Sequence, residues 1–203
     1  MSKTDTLFVT KLYAARSGSA ATLADLETAC RQLAIDDEAG RAWCLAHAYP
    51  GYTSYGSLND LPWRFSVVKS LVRSLDRHVA RFADEVGFDL GEHPLVLDSL
   101  WVNVLDPGGF HAGHLHPHSV VSGTFYVTSP EGAGAIRFED PRLPAMMAAP
   151  PRRKKAGTDM QSFIEREPRP GSLLLWESWL RHEVRPNRAS AERISISFNY
   201  RWR

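Results

Sequence analysis

Ile194-Ser195-Ile196-Ser197-Phe198-Asn199-Tyr200 alternates apolar and polar residues almost without a break. In an extended chain successive side chains point to opposite faces, so this run reads as a strand with one buried face. Four earlier runs have the same short, β-prone character: Leu95–Leu105, Gly123–Thr128, Ala135–Glu139 and Ser172–Trp176. Asp106-Pro107-Gly108-Gly109, Ser129-Pro130-Glu131-Gly132 and Pro168-Arg169-Pro170-Gly171 part them. Short strands divided by Gly- and Pro-rich turns indicate a β-sandwich or barrel.

Upstream of Pro94 the period changes. Phe65, Val68, Leu71, Val72, Leu75, Val79, Phe82 and Val86 recur at steps of three and four, which predicts a helix from about Trp63 to Val86. Lys69, Arg73, Arg77 and Arg81 mark its solvated face, and Gly87 stands where a helix-ending glycine belongs. Leu23, Leu26, Cys30 and Leu33 predict a second helix, preceded by a short strand over residues 6–13. Residues 36–62 keep no sustained period and read as a turn-rich, aromatic connection. The predicted class is α+β. A helical and turn-rich part, 1–94, packs on one sheet of a β-rich part, 95–203, within a single unit spanning 1–203. Residues 142–168 carry Pro144, Pro150, Pro151 and the basic run Arg152-Arg153-Lys154-Lys155. They read as a long insertion between strands, expected to be a mobile lid or a plain solvated loop.

The chain has 203 residues, 24 Lys plus Arg against 23 Asp plus Glu, and a net charge of +1. That balance argues against a nucleic-acid partner, which usually calls for a strong positive excess. No run approaches the length of a membrane span, and the polar N-terminus lacks the apolar stretch of a signal peptide. With only Cys30 and Cys44, a disulfide framework is not expected, and the cytoplasm is the expected compartment.

Four of the eight histidines fall in His111-Ala112-Gly113-His114-Leu115-His116-Pro117-His118. Neutral imidazole is the commonest protein metal ligand, and on a strand His114 and His116 would share a face. Together they predict chelation of a divalent transition metal. His182, after the strand-like Leu173-Leu174-Leu175-Trp176, is the candidate third ligand.

In this order, a histidine motif, a distal histidine and Arg193-Ile194-Ser195 resemble the Fe(II)/2-oxoglutarate-dependent dioxygenases. Trp101-Val102-Asn103-Val104, Ser122-Gly123-Thr124-Phe125-Tyr126-Val127, Glu139-Asp140-Pro141-Arg142 and Trp176-Glu177-Ser178-Trp179-Leu180-Arg181-His182 narrow the likeness to a bacterial subfamily of 2-oxoglutarate–Fe(II) oxygenases, over residues 95–203. The resemblance implies a double-stranded β-helix, or jelly roll, with helices packed on one sheet. It implies Fe(II) as metal, 2-oxoglutarate as cosubstrate, and hydroxylation of a substrate with release of succinate and CO2. Arg193 would grip the distal carboxylate of 2-oxoglutarate, with Ser195, Tyr126 and Asn103 beside it. The alternative for Arg193 is an ion pair with Glu192 or Glu139. No catalytic residue beyond the metal site is assigned. The family's usual ligand set has a carboxylate where this chain has His116, so three imidazoles would leave an Fe(II) site at +2 instead of +1. His111 or His118 stays open as a replacement for one of the pair. The competing class is a three-histidine, cupin-like metalloprotein, either a dioxygenase or isomerase without cosubstrate or a non-catalytic sensor. The expected partner is a small-molecule or peptide substrate, and a homo-oligomer stays open.

Overall fold

The computed structural model describes residues 2–203. In chain order it forms β1 (Tyr13–Arg16), α1 (Ala20–Asp36), α2 (Glu38–Ala46), β2 (Gly51–Thr53), α3 (Leu61–Arg64) and α4 (Ser66–Val86). There follow β3 (Leu95–Leu105), β4 (His111–His114), β5 (Val121–Thr128), β6 (Ile136–Glu139), β7 (Phe163–Arg166), β8 (Ser172–Glu177), β9 (His182–Val184) and β10 (Arg193–Trp202). Two antiparallel sheets result, ordered β1-β8-β5-β10-β3-β2 and β4-β9-β6-β7. This is the jelly-roll, α+β architecture with N-terminal helices on one sheet.

The period-2 alternation decides what each face of the six-stranded sheet does. Leu100, Val102 and Val104 of β3, Val121, Phe125 and Val127 of β5, Leu173 and Leu175 of β8, and Ile194, Ile196, Phe198 and Tyr200 of β10 form the main core with the helices. Their neighbours in sequence point the other way, between the sheets, where Tyr126, Leu174 and Trp176 pack with Ile136, Phe138 and Leu180. Val68, Leu71, Leu75, Val79 and Phe82 of α4 supply the helical side of the main core. Two polar clamps hold α4 to the sheet: the Tyr200 hydroxyl donates to Asp76 Oδ1 at 2.6 Å, and the Tyr13 hydroxyl lies 2.8 Å from His78 Nδ1. Gly87 ends α4 in the left-handed region at φ 80.

Several expectations are corrected. The first strand runs over Tyr13–Arg16, because that stretch pairs with Ser172–Leu175; Leu7, Phe8 and Val9 lie exposed, and Phe8 turns through φ 56. The stretch 36–62 contains α2, capped by Asp37 accepting the Gly40 N–H at 2.9 Å, and strand β2. The long helix is divided: Phe65 leaves helical geometry and packs into the main core between α3 and α4. The insertion is partly regular. It holds two 3-10 turns (Leu143–Ala145 and Thr158–Met160) and most of its length before β7, with the basic run Arg152–Lys155 fully on the surface. Cys30 and Cys44 are buried free thiols. Among the described residues no helix is long and apolar enough to cross a membrane.

Candidate metal centre and anion seat

Between the sheets lies a cavity of about 80 Å³. At one end β4 and β9 pair so that His114 stands opposite His182. His116 does not share a strand face with His114, as the spacing suggested. β4 ends at His114, and His116 lies two residues beyond it, just before the Pro117-His118 turn, pinned by its N–H donating to the Ser178 carbonyl at 3.1 Å. The three rings converge, with centroids 4.4 Å apart for His114 and His182 and 5.2 Å for each pair with His116. Their ligand nitrogens all lie within 4.8 Å of one another.

The tautomers suit a metal. His114 Nδ1 lies 2.7 Å from the Ala112 carbonyl and His182 Nδ1 2.9 Å from the Leu180 carbonyl. A carbonyl only accepts, so both Nδ1 atoms carry the hydrogen and both Nε2 lone pairs are free to ligate. Burial, reinforced by the neighbouring imidazoles, pushes His182 down to about 3 and His116 down to about 4, so both rings stay neutral well below pH 7. Trp176 packs edge-on against His182 at 4.7 Å, and Trp101 lies nearly parallel to His116 at 6.0 Å.

The other end of the cavity holds Arg193 and Ser195, both buried. β10 alternation puts them on the inner face, and Ser195 is flanked by Asn103 of β3 and Tyr126 of β5. Arg193 has no acidic partner among the described residues. Glu192 pairs with Arg31 and Glu139 with Arg181, which disposes of the ion-pair alternative. The guanidinium sits 5.0 Å from the Tyr126 ring centre; Arg193 Nε and the Tyr126 hydroxyl are buried without a hydrogen-bond partner. A buried, unpaired guanidinium is costly unless an anion completes it. This end therefore fits a carboxylate, and the imidazole end fits a divalent metal.

The remaining candidates sort by geometry. Asn103 lines the cavity, but its amide is engaged: Oδ1 lies 2.9 Å from Thr53 Oγ1 and Nδ2 donates to Ser197 Oγ at 3.1 Å. His118 sits exposed in the left-handed region at φ 72, away from the triad. His111 lines the cavity outside the three-imidazole group, with Nε2 2.8 Å from the Tyr49 hydroxyl. Tyr49 and Trp101 are site neighbours that sequence reasoning missed; each is one aromatic among many, with no spacing signal to single it out.

Fold and site together define a jelly-roll protein whose three imidazoles could hold a metal and whose buried guanidinium could hold an anion. Residues 99–199, half of the chain, match the family model described as "Putative 2OG-Fe(II) oxygenase". The chain belongs to this 2OG-Fe(II) oxygenase family and is a 2-oxoglutarate-dependent oxygenase, with Fe(II) and 2-oxoglutarate as the family's metal and cosubstrate. No curated protein matches it in sequence. A Pseudomonas putida prolyl-4-hydroxylase aligns at TM-score 0.61 and 19% identity, over 96% of this chain and 89% of that one. SnoK, a non-heme α-ketoglutarate-dependent carbocyclase from nogalamycin biosynthesis, aligns at TM-score 0.64 and 12% identity, over 94% and 79%. HygX from Streptomyces hygroscopicus, solved with nickel and 2-oxoglutarate bound, aligns at TM-score 0.59 and 14% identity, over 94% and 81%. Likeness at such identities is likeness of fold.

Proposed function

We propose that this oxygenase hydroxylates a small-molecule or peptide substrate, with His114, His116 and His182 as metal ligands and Arg193 as the cosubstrate clamp. The observation that carries the reading is a single cavity lined both by three convergent imidazoles and by the buried Arg193, whose Nε has no hydrogen-bond partner. When bound, Fe(II) with 2-oxoglutarate and O2 supplies the oxidising power for oxygen insertion into a substrate C–H bond, with succinate and CO2 as co-products.

The chain's own residues do the positioning. Carbonyl bonds to His114 and His182 fix each ring so that Nε2 faces the metal seat. His114, His116 and His182 would hold the metal with three protein donors and would leave room beside it for a chelating 2-oxo acid. The Arg193 fork suits the two oxygens of a carboxylate, and Ser195, two residues along the same strand, presents its hydroxyl to the same group. The Tyr126 hydroxyl, unpartnered beside Arg193, is a further donor there. Trp101 packs beside His116, and Trp176 and Phe138 enclose the buried His182. With no carboxylate ligand in the group, the centre keeps a higher positive charge, which favours an anionic cosubstrate. The near balance of basic and acidic residues supports a substrate other than nucleic acid.

Calorimetric titration of 2-oxoglutarate into Mn(II)-loaded protein tests the assignment. Arg193→Lys keeps the charge and loses the planar fork, so binding should weaken about tenfold to a hundredfold with Mn(II) retained. Ser195→Ala should give a smaller loss in the same direction. Equal binding by Arg193→Lys and wild type would remove the clamp from the account and return weight to a cosubstrate-free, cupin-like centre.

A further inference from the structure

His116 is the imidazole whose place the strands do not set. His114 and His182 face each other across the β4–β9 ladder, and the carbonyls of Ala112 and Leu180 orient their rings. His116 lies beyond the end of β4. Its backbone is clasped instead to Ser178, in the turn between β8 and β9. The His116 N–H donates to the Ser178 carbonyl at 3.1 Å, and the Ser178 N–H donates to the Val120 carbonyl at 3.0 Å. One residue thus grips the 116–120 segment at both ends. The same turn carries Leu180, whose carbonyl orients His182, so Ser178 joins two ligand-bearing segments.

Ser178 is itself held by a line of hydroxyls and one amide across the inner face of the six-stranded sheet. Ser122 Oγ donates to Asn199 Oδ1 at 2.8 Å, which uses its only hydrogen. The 2.8 Å contact between Ser178 Oγ and Ser122 Oγ is therefore a donation from Ser178. Asn199 Nδ2 donates in turn to Ser99 Oγ at 3.1 Å. Register sets these links side by side: Asn199 stands opposite Ser99 on β3 and opposite Ser122 on β5. Ser178, Ser122 and Asn199 are all buried. Buried hydroxyls cost stability unless they are satisfied, and apolar residues would fill the same space without that demand. A bonded line instead fixes one geometry. Ser122 and Ser178 both lie in stretches that carry the family likeness, and neither lines the cavity.

We propose that Ser178 is a positioning residue of the metal centre: its hydroxyl, tied through Ser122 and Asn199 to β10, steadies the clasp that sets His116 against His182 and with it the geometry of the three-imidazole seat. The inference rests on the ligand set proposed above. With no carboxylate in the group, the third donor is a neutral ring that no charge draws to the ion, so its place must be built in. The His116 ring lies nearly parallel to that of His182 at 5.2 Å, a spacing that only the clasp and the packing of Trp101 maintain on the His116 side. Residues that orient a ligand without touching the metal typically contribute about 10–100-fold in affinity. Here the handle is the ligand's backbone and not its ring.

The test is titration with Co(II) followed by visible absorption, because the bands of Co(II) report the arrangement of its donors. Wild type should bind one equivalent. Ser178→Ala should bind Co(II) about tenfold to a hundredfold more weakly, with a changed spectrum. Ser122→Ala, which removes the acceptor and leaves Ser178 in place, should change both in the same direction. Tyr13→Phe loses the clamp to His78 on the helical side of the sheet, and its affinity and spectrum should match wild type. In a His116→Ala background, adding Ser178→Ala should cost nothing further, because Ser178 acts through His116. Wild-type affinity and spectrum in Ser178→Ala overturn the inference. So does an undiminished loss in the His116→Ala background, or equal weakening in Tyr13→Phe, as a merely structural role would cause. Should Ser178→Ala fail to fold, wild-type affinity and spectrum in Ser122→Ala overturn it equally. Wild type that binds no Co(II) removes the ligand set and this inference together. Weakening in His116→Ala with none in Ser178→Ala removes this one alone.

Discussion

At His182 two roles coincide in one side chain. It is 4% exposed and packed by Trp176 and Phe138, yet its Nε2 is held free by the Leu180 carbonyl. On the proposed reading, replacing it with Ala removes one of three metal donors, and it opens a void beside Trp176 and Phe138. The void weakens the fold, but the main core lies on the far face of the six-stranded sheet and is untouched. His182→Ala should therefore fold and fail to retain metal. The affinity should fall by more than the roughly 10–100-fold that losing an outer partner of a ligand costs. Metal content after desalting, read beside circular dichroism, checks this, and stoichiometric iron in a folded His182→Ala protein would remove His182 from the centre. Much at this scale was readable in sequence. Four histidines in eight residues announce a metal, and Arg193-x-Ser195 announces two side chains on one strand face. The path of His116 was not readable, because β4 ends at His114 and what holds His116 is a backbone bond to Ser178, far off in sequence. The Tyr49–His111 pair was hidden too: the partners are 62 residues apart, and nothing local to either one names the other.

Among the elements, strands were legible where one face is buried against helices and the other is polar, as on β10, or where Gly and Pro turns bound a dense apolar run, as on β3 and β8. Helix α2 was not, since only Gly40 and Cys44 of its nine residues are buried and two positions cannot display a period. What fixes α2 is its cap. The Asp37 carboxylate accepts from the Gly40 N–H, the Tyr52 hydroxyl at 2.8 Å and the Ser57 hydroxyl. Burial opposes ionisation there, but these donors outweigh it and hold the carboxyl below its ordinary range. Asp37→Ala removes the cap and strands the buried Tyr52 hydroxyl, a loss of about 1–3 kcal/mol. For a chain of this size each kcal/mol lowers Tm by about 2–4 °C. Thermal unfolding should show a drop of several degrees in Asp37→Ala and a smaller one in Asp37→Asn, which keeps a capping oxygen. A Tm unchanged in Asp37→Ala would mean that α2 is held by packing alone. The element matters to the site because Thr53, next to Tyr52, is the residue that serves Asn103.

The whole molecule divides its labour between the two faces of one sheet. The outer face joins the helices in the main core, and the inner face, closed by the four-stranded sheet, carries the polar chemistry. Period-2 alternation made that division legible along β10, but not along β5 and β8, which are buried on both faces. Strand order was not legible. β10 pairs with β3 and β5, and β8 lies between β5 and the N-terminal β1; the partners are far apart in sequence, and alternation says which face is buried without saying which strand is adjacent. The consequence of the arrangement is one cavity lined by three imidazoles and by Arg193, which on the proposed reading is matched to one metal and one chelating dicarboxylate. Anaerobic titration of 2-oxoglutarate into the Fe(II)-loaded protein, followed by visible absorption, tests that match most directly. The account predicts a metal-to-ligand charge-transfer band in the green region, absent before 2-oxoglutarate is added and saturating at one equivalent per chain. The band should need higher 2-oxoglutarate concentrations in Arg193→Lys. Iron-loaded wild type that develops no such band at saturating 2-oxoglutarate would contradict the account.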